Sequence, residues 1–438
     1  MSTRTSFVLP KPALCLTIVM VAGYLPAASA PGAAAESPPA VLSVPAERTT
    51  IHLAVPLPGG VRRDASAAWW LVEVDRPEVE VERPEVKIPA QQVPATAADG
   101  TVDEKGARLA ANVPPREGAA GVRRFRLEAM PAGTAKEKAG FRFRDVDENS
   151  LGLWDGDRPV LVYNHGVITD AKIPEKDTRR SRACYVHPLY GLNGEVLTDD
   201  FPKDHYHHHG IFWSWPHVGI DGREYDLWVY NNIQQKFVRW ICRETGPVAA
   251  VLGVENGWFV GTKKVMIERV WLRAYRAAGG ERSLDLEFAW VPVDRPITLR
   301  GAEGKSYGGL NLRYAVRKEK ETVITVPSGR TKEDLPDTPL AWADLSARFA
   351  GAAGRSGAAI FVDPAHPDFP PTWLTRHYGI LCVGWPGVKA RTFAPGTAIR
   401  LNYRVWIHKA DAELDQLTQA FAGYGAGTKA RWEVADNP

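Results

Sequence analysis

At 438 residues, with 45% hydrophobic and 24% charged content, the chain has the make-up of a globular protein. Its length suits two or three domains at roughly 100 to 200 residues each. The formal charge of +3 includes Arg4 and Lys11, and without the segment that carries these two it falls to +1, a balance that gives no support to nucleic acid or an anionic membrane surface as partner.

The first thirty residues read as an export signal. Arg4 and Lys11 form a short basic start, an apolar run follows from Ala13 to Ala22, and Ala28-Ser29-Ala30 is suited to cleavage. Pro12-Ala13-Leu14 before Cys15 is a poor lipobox. No later run approaches the roughly 20 apolar residues of a membrane helix, so the expected mature protein is periplasmic or secreted, starting near Pro31. Its three cysteines, Cys184, Cys242 and Cys382, are widely spaced and lack metal-type Cys-x-x-Cys spacing, which predicts buried free thiols.

Residues 31–45 are Ala/Pro-rich and read as a mobile leader. From Thr49 to about Met130, short alternating runs such as Ile51-His52-Leu53-Ala54-Val55, Trp69-Trp70-Leu71-Val72 and Arg124-Phe125-Arg126-Leu127 sit between turn-rich segments. They predict a small β-sandwich domain of immunoglobulin-like type over 46–135. Pro131-Ala132-Gly133-Thr134 reads as a linker. Beyond it, over 136–438, strand follows strand: Pro159 to Tyr163, Ile211 to Trp215, Asp226 to Tyr230, Lys264 to Tyr275, Ser283 to Trp290 and Ile399 to His408. In the fifth of these, Leu284, Leu286, Phe288 and Trp290 share one face and Asp285 and Glu287 the other. Helical spacing appears only over 412–422, through Leu414, Leu417 and Phe421. The predicted fold is mainly β: a large antiparallel two-sheet sandwich, the small β domain before it, and a short C-terminal helix.

The chemistry concentrates in residues 199–215, where four of the eleven histidines fall within five residues. Asp199, Asp200 and Asp204 stand before or among them, and Trp213 and Trp215 just after. In an extended chain His205, His207 and His209 would point one way and could converge on a divalent transition metal, with Asp200, Asp204 or Glu195 in support. Pro202 and Gly210 argue instead for a loop entering a strand, in which some of the histidines handle protons or bind substrate and others serve structure; no cofactor is favoured. His187 stands just upstream. Asn311 with Arg313, and Arg376 with His377, lie beside glycines that let backbone approach a ligand.

His187-Pro188-Leu189-Tyr190, the run from Asp200 to Gly210, Gly308-Gly309-Leu310 and Arg376-His377-Tyr378-Gly379 resemble the PmoA-like family of exported bacterial proteins of unknown function, over about residues 140–410. That family often carries Arg at the position of His209. The resemblance implies a galactose-mutarotase-like supersandwich. The methane monooxygenase subunit its label suggests would need several spanning helices, and none follows the signal.

These residues together predict an exported protein acting on a sugar or glycoside by acid–base chemistry, as isomerase, lyase or hydrolase. His187 and His208 are the candidate acids, and Glu287 or Glu268 the base. Trp213, Trp215 and Trp228 would stack on the sugar; Asp204, His205, His207, Asn311, Arg313, Arg376 and His377 would bind it. Fifteen tryptophans fit such a ligand, and they fit an aromatic β core equally well. Two alternatives remain: a metal-dependent enzyme using His205, His207 and His209, and a glycan-binding protein without catalysis.

Overall fold

The alternation of apolar and polar residues over 283–290 is carried through in a computed structural model of the protein, where this segment is the middle of the strand Glu281–Pro292. The structure describes residues 40–434 except 60, 62–63, 65–67, 75–85, 117, 119–120, 131–139 and 317. The export signal, Cys15, the leader up to residue 39 and the Pro131 to Thr134 linker lie outside the described residues.

Glu281–Pro292 belongs to a nine-stranded antiparallel sheet, here the central sheet. Its spatial order is Gln234–Thr245, Ala249–Val260, Lys263–Tyr275, Glu281–Pro292, Ile399–Lys409, Arg355–Val362, Trp342–Arg348, Val323–Val326 and Gly329–Thr331. A second nine-stranded antiparallel sheet runs Phe141–Asp147, Ser150–Asp155, Arg158–Asn164, Tyr185–Leu189, Ile211–Ser214, Gly309–Arg313, Ile380–Gly384, Thr372–Arg376 and Thr338–Pro339. The two pack face to face over one apolar cluster. Tyr163, Val186, Ile211, Trp213 and Leu312 come from the second sheet, and Leu252, Val270, Leu286, Phe288 and Val405 from the central one. A β-sandwich results, because each strand has one apolar face to bury.

The other face of the central sheet is also covered. A seven-stranded sheet holds Ile51–Pro56, Val102–Val113, Lys87–Thr96, Ala68–Glu73, Val122–Ala129, Ala40–Pro45 and Arg431–Val434, so the last described strand pairs with the first described one. Gln91 Oε1 accepts the N–H groups of Val248 and Ala249 at 3.0 Å, and Trp271 Nε1 donates to the Gly100 carbonyl at 2.8 Å. Both joints tie this cap sheet to the central one.

Three elements differ from expectation. Ala40–Pro45, read as the end of a mobile leader, is a strand paired with Val122–Ala129 and Arg431–Val434. Asp226 to Tyr230 is a turn, not a strand. Asp226 Oδ1 accepts the N–H of Trp228 at 2.8 Å and of Val229 at 3.2 Å, and a side chain that closes its own backbone this way diverts an apolar run from strand pairing. The helix spans Leu414–Lys429, well past residue 422, through a segment where Gly423, Gly425 and Gly427 obscure the pattern. The glycines serve packing: a Cβ on Gly427 would sit 2.7 Å from the His52 carbonyl oxygen, on the strand the helix lies against.

Gly427→Ala is therefore expected to lower stability by about 1–3 kcal/mol in urea unfolding, although alanine favours helix by about 1 kcal/mol. An unchanged or raised midpoint would show that the helix does not need this close approach.

Candidate functional site

The second sheet's outer face follows from the same alternation that fills the sandwich. Val186, Ile211, Trp213, Leu312, Leu381 and Val383 point inward, so Tyr185, Phe212 and Cys382 point out and join Trp228 and Leu374 in a separate apolar cluster. Register places Phe212 beside Asn311, and Asn311 beside Cys382; Arg313 lies in the next outward row, beside Ile380. Both Asn311 and Arg313 are buried.

The histidine segment folds as two successive turns over this face. His205 N–H donates to Pro202 O and His208 N–H to His205 O, each at 2.9 Å, and an antiparallel bridge between Asp200 and His209 closes the loop. The turns replace the alternation of an extended chain, so the three odd-numbered histidines do not share a face. His205 stacks on His208 (centroids 4.5 Å, planes 3° apart) and on Tyr378 (4.9 Å, 13°), and His207 packs edge-on against His208 at 4.6 Å. Trp228 lies about a ring's width away, 6.2 Å from His207 and 6.0 Å from His208.

His209 is occupied elsewhere. Its Nδ1 donates to Asp200 Oδ1 at 2.7 Å, Tyr185 OH donates to Asp200 Oδ2 at 2.8 Å, and its ring is wedged against Tyr185, Phe201 and Phe212. Among the described residues no group of three or more His, Cys, Asp or Glu side chains is arranged to hold a metal ion, so the His205, His207 and His209 set is not assembled. His187 stands near this pair, with Nδ1 3.0 Å from Thr198 Oγ1, which also accepts the Leu189 N–H at 2.9 Å.

Arg313 links the sheet to the loop. Its Nη2 donates to both oxygens of Asp204 at 3.0 Å, Asp204 in turn accepts from His205 Nδ1 at 2.8 Å, and the guanidinium lies 4.9 Å from the centre of the Tyr378 ring. Arg313 Nε and Nη1 have no hydrogen-bond partner; neither do His207 Nδ1, His208 Nδ1 and Asn311 Oδ1. So many unmet buried groups in one place mark a spot that a ligand or water completes.

Burial governs the charges. It holds His208 well below the ordinary histidine range, helped by the neighbouring charges of His207, His205 and Arg313. His207 is pushed down to about 3 by burial and by His205, and burial also lowers His187. Burial raises Asp200 to about 6 against the opposing pull of His187. His187 and His208 are thus neutral at neutral pH, which suits proton acceptance and departs from the acid role expected of them.

The expected bases lie elsewhere. Glu268 faces the interior of the sandwich, fully buried, and accepts from Asn256 Nδ2 (2.9 Å), Trp258 Nε1 (2.7 Å), Trp290 Nε1 (2.9 Å) and Gln235 Nε2 (2.9 Å). Glu287, on the opposite face of the central sheet, accepts from Arg273 Nη2 at 3.0 Å and Thr96 Oγ1 at 3.1 Å. Burial would raise its carboxyl, but Arg273 and Arg108 hold it at about 2. Trp213 and Trp215 are core residues with no exposed surface, Trp215 Nε1 donating to Trp385 O at 2.6 Å. Strand alternation turns Trp213 inward, where the sequence alone suggested a sugar platform. Of the three tryptophans, only Trp228 lies beside the histidine loop.

Arg376 and His377 are both held by Asp334: Arg376 Nη1 at 3.3 Å, His377 N and Nδ1 at 2.9 and 2.8 Å. Their neighbour Tyr378 reaches the loop instead. Gly379, at φ +108°, places it there, and a Cβ on that glycine would sit 2.9 Å from the Tyr314 carbonyl oxygen. Tyr378 and Tyr185 are the site residues that sequence reasoning did not bring together. For Tyr378 the adjoining glycine was the signal; Tyr185 reads as an ordinary strand residue.

Residues 151–422 match a family of unknown function, DUF6807, and the chain belongs to that family. The match covers most of both nine-stranded sheets and leaves residues 40–129, six strands of the cap sheet, outside it. No curated protein matches the chain.

Two measurements bear on these assignments. Glu268→Gln turns two acceptor oxygens into one and sets an amide against its donors, so it is expected to cost about 2–3 kcal/mol in unfolding free energy; a cost under about 0.5 kcal/mol would deny the cluster its structural weight. The second is the melting temperature between pH 7.5 and 6. Folded-state pKa values are lowered for His52, His165, His187, His207, His208, His209 and His366, so these stay neutral while the unfolded chain takes up protons below about pH 6.5. Their stabilising effect is present above that pH and lost on acidification, by up to about 1.4 kcal/mol per pH unit for a fully buried histidine. Among the described histidines only His408 is raised, by Asp344 against burial, and it acts oppositely, as Asp200 does on approaching pH 6. The melting temperature is expected to fall from pH 7.5 to 6; a level or rising curve would contradict the neutral histidine cluster.

Proposed function

We propose that the protein is exported and acts on a carbohydrate at the histidine loop, as an enzyme that moves a proton to or from the sugar. The observation that carries this reading is the group of buried, unpartnered atoms there: Arg313 Nε and Nη1, His208 Nδ1 and Asn311 Oδ1, beside the rings of Trp228 and Tyr378. Charged donor, neutral imidazole, amide acceptor and flat apolar edges are the parts a sugar site combines. The export pattern of residues 1–30 and the resemblance to the PmoA-like proteins and the mutarotase-like supersandwich point the same way; that last likeness is an analogy of fold.

In this reading His208 takes the proton, because an imidazole held neutral can accept it. Arg313 stabilises the oxyanion left on the substrate, and Asp204 orients both Arg313 and His205. Trp228 offers its edge to the ring, and His187 is a second acceptor on the same face. One base with one guanidinium suits an isomerase or lyase better than a hydrolase with two carboxylic acids, since Glu268 and Glu287 are held in other networks.

Mature protein screened against mono- and oligosaccharides by NMR is expected to show anomer interconversion, epimerisation or elimination on one of them. On that substrate His208→Ala and Arg313→Met should each lower kcat/KM by about 100-fold or more. Full turnover in His208→Ala refutes the assignment, and saturable binding without product on every sugar indicates a glycan-binding protein. Because His208 stays neutral in acid, activity should persist below pH 6, where an ordinary histidine base would be protonated.

A further inference from the structure

A cavity of about 100 Å³ lies against the other face of the central sheet, under the cap sheet and the helix, and no residue of the histidine loop lines it. Four guanidiniums do, those of Arg108, Arg273, Arg400 and Arg404. Asp285, Glu287 and Asp363 oppose them with three carboxylates. His52 also lines the cavity; burial, then Arg404, holds it at about 4, so at neutral pH it adds no charge and the wall is left with one positive charge in excess.

The hydrogen bonds within the wall are specific about what they leave over. Arg404 clasps Asp285 with Nε at 2.6 Å and Nη2 at 3.0 Å, and Arg273 Nη2 donates to Glu287 Oε1 at 3.0 Å. Arg273 Nε has no partner. His52 Nδ1 donates to Asn112 Oδ1 at 2.8 Å, which makes its Nε2 a lone pair, and Nε2 has no partner. Asn402 Nδ2 donates to Asp363 Oδ2 at 3.2 Å while its Oδ1 has none. His52 and Arg273 are only 2% and 5% exposed, so these are buried polar groups left unmet.

One cationic donor, two neutral acceptors and one surplus positive charge describe the complement of a carboxylate that carries a hydroxyl. Scaled from an apolar cavity of about 150 Å³ that holds benzene, six heavy atoms, this volume encloses about four, so the five heavy atoms of glycolate and the six of lactate extend into the opening beside Arg108 and Arg400. Arg108 and Arg400, with side chains 32% and 34% exposed, connect the wall to solvent.

We propose that this cavity binds a small hydroxycarboxylate, its carboxylate on Arg273 and its hydroxyl donating into the acceptor pair of His52 Nε2 and Asn402 Oδ1. The site is separate from the histidine loop and does not depend on the function proposed there.

Isothermal titration calorimetry of the full chain with glycolate and lactate, against propionate and glycerol, tests it. Saturable binding of the two hydroxy acids is expected, with propionate and glycerol each at least about tenfold weaker because each lacks one of the two recognised groups. Asn402→Leu should weaken lactate about tenfold and leave propionate unchanged, Asn402→Asp should abolish both through charge, and His208→Ala should change nothing. Absence of saturable binding by wild type up to about 10 mM overturns the proposal. So does equal binding of propionate or glycerol, or lactate affinity lost in His208→Ala and kept in Asn402→Leu, which would place the anion at the other site.

Discussion

A sheet buried on both faces is the constraint that the remainder of this protein answers to. Strand Glu281–Pro292 is buried from end to end, between the second sheet on one side and the cap sheet on the other. Every charged side chain on it must then find its partner inside the protein, since an unpaired buried charge costs several kcal/mol. Asp285 is held by Arg404 and Tyr275, Glu287 by Arg273, and Glu268 on the neighbouring strand by four donors from three strands. These carboxylates look catalytic in a sequence because they are acidic residues on a sheet face. In the structure they are what allows three layers of β-sheet to stack with charges between them.

Against that background of satisfied pairs, the groups left unmet stand out. The histidine loop lies on the outward face of the second sheet, away from the central sheet, and its two turns stack imidazoles on one another and on Tyr378 instead of aligning them on a metal. Burial without a counter-charge keeps His207 and His208 neutral, whereas the nearby Asp204 is drawn to Arg313 and His205. Neutral bases next to a guanidinium with spare donors recur at the cavity under the cap sheet, through His52 and Arg273, but there the guanidinium is already paired with Glu287.

Much of the fold was legible residue by residue. The split between Leu284, Leu286, Phe288, Trp290 and Asp285, Glu287 is the split seen, and the strands at 51–56, 158–164, 263–275 and 399–409 fall where alternation placed them. Two kinds of signal were not readable. Asp226 to Tyr230 has the composition of a strand, and only the capture of two backbone N–H groups by Asp226 makes it a turn. Trp213 follows the histidines in sequence, but period-two alternation sends it to the opposite side of the sheet from Phe212, and which side faces the sandwich is decided by what packs there.

The amino-acid sequence by itself determined a mainly antiparallel β chain with a C-terminal helix, free buried cysteines, and a histidine loop bounded by Pro202 and Gly210 as its chemical focus. These are local properties, set by side-chain period, turn residues and spacing. Tertiary structure alone decided that His187 and His208 are neutral, that Glu268 and Glu287 belong to two other networks, and that Tyr378 rather than Arg376 or His377 meets the loop. Each of those depends on burial, on partners brought in from other strands and loops, or on which of two sheet faces a side chain occupies. No local pattern encodes either.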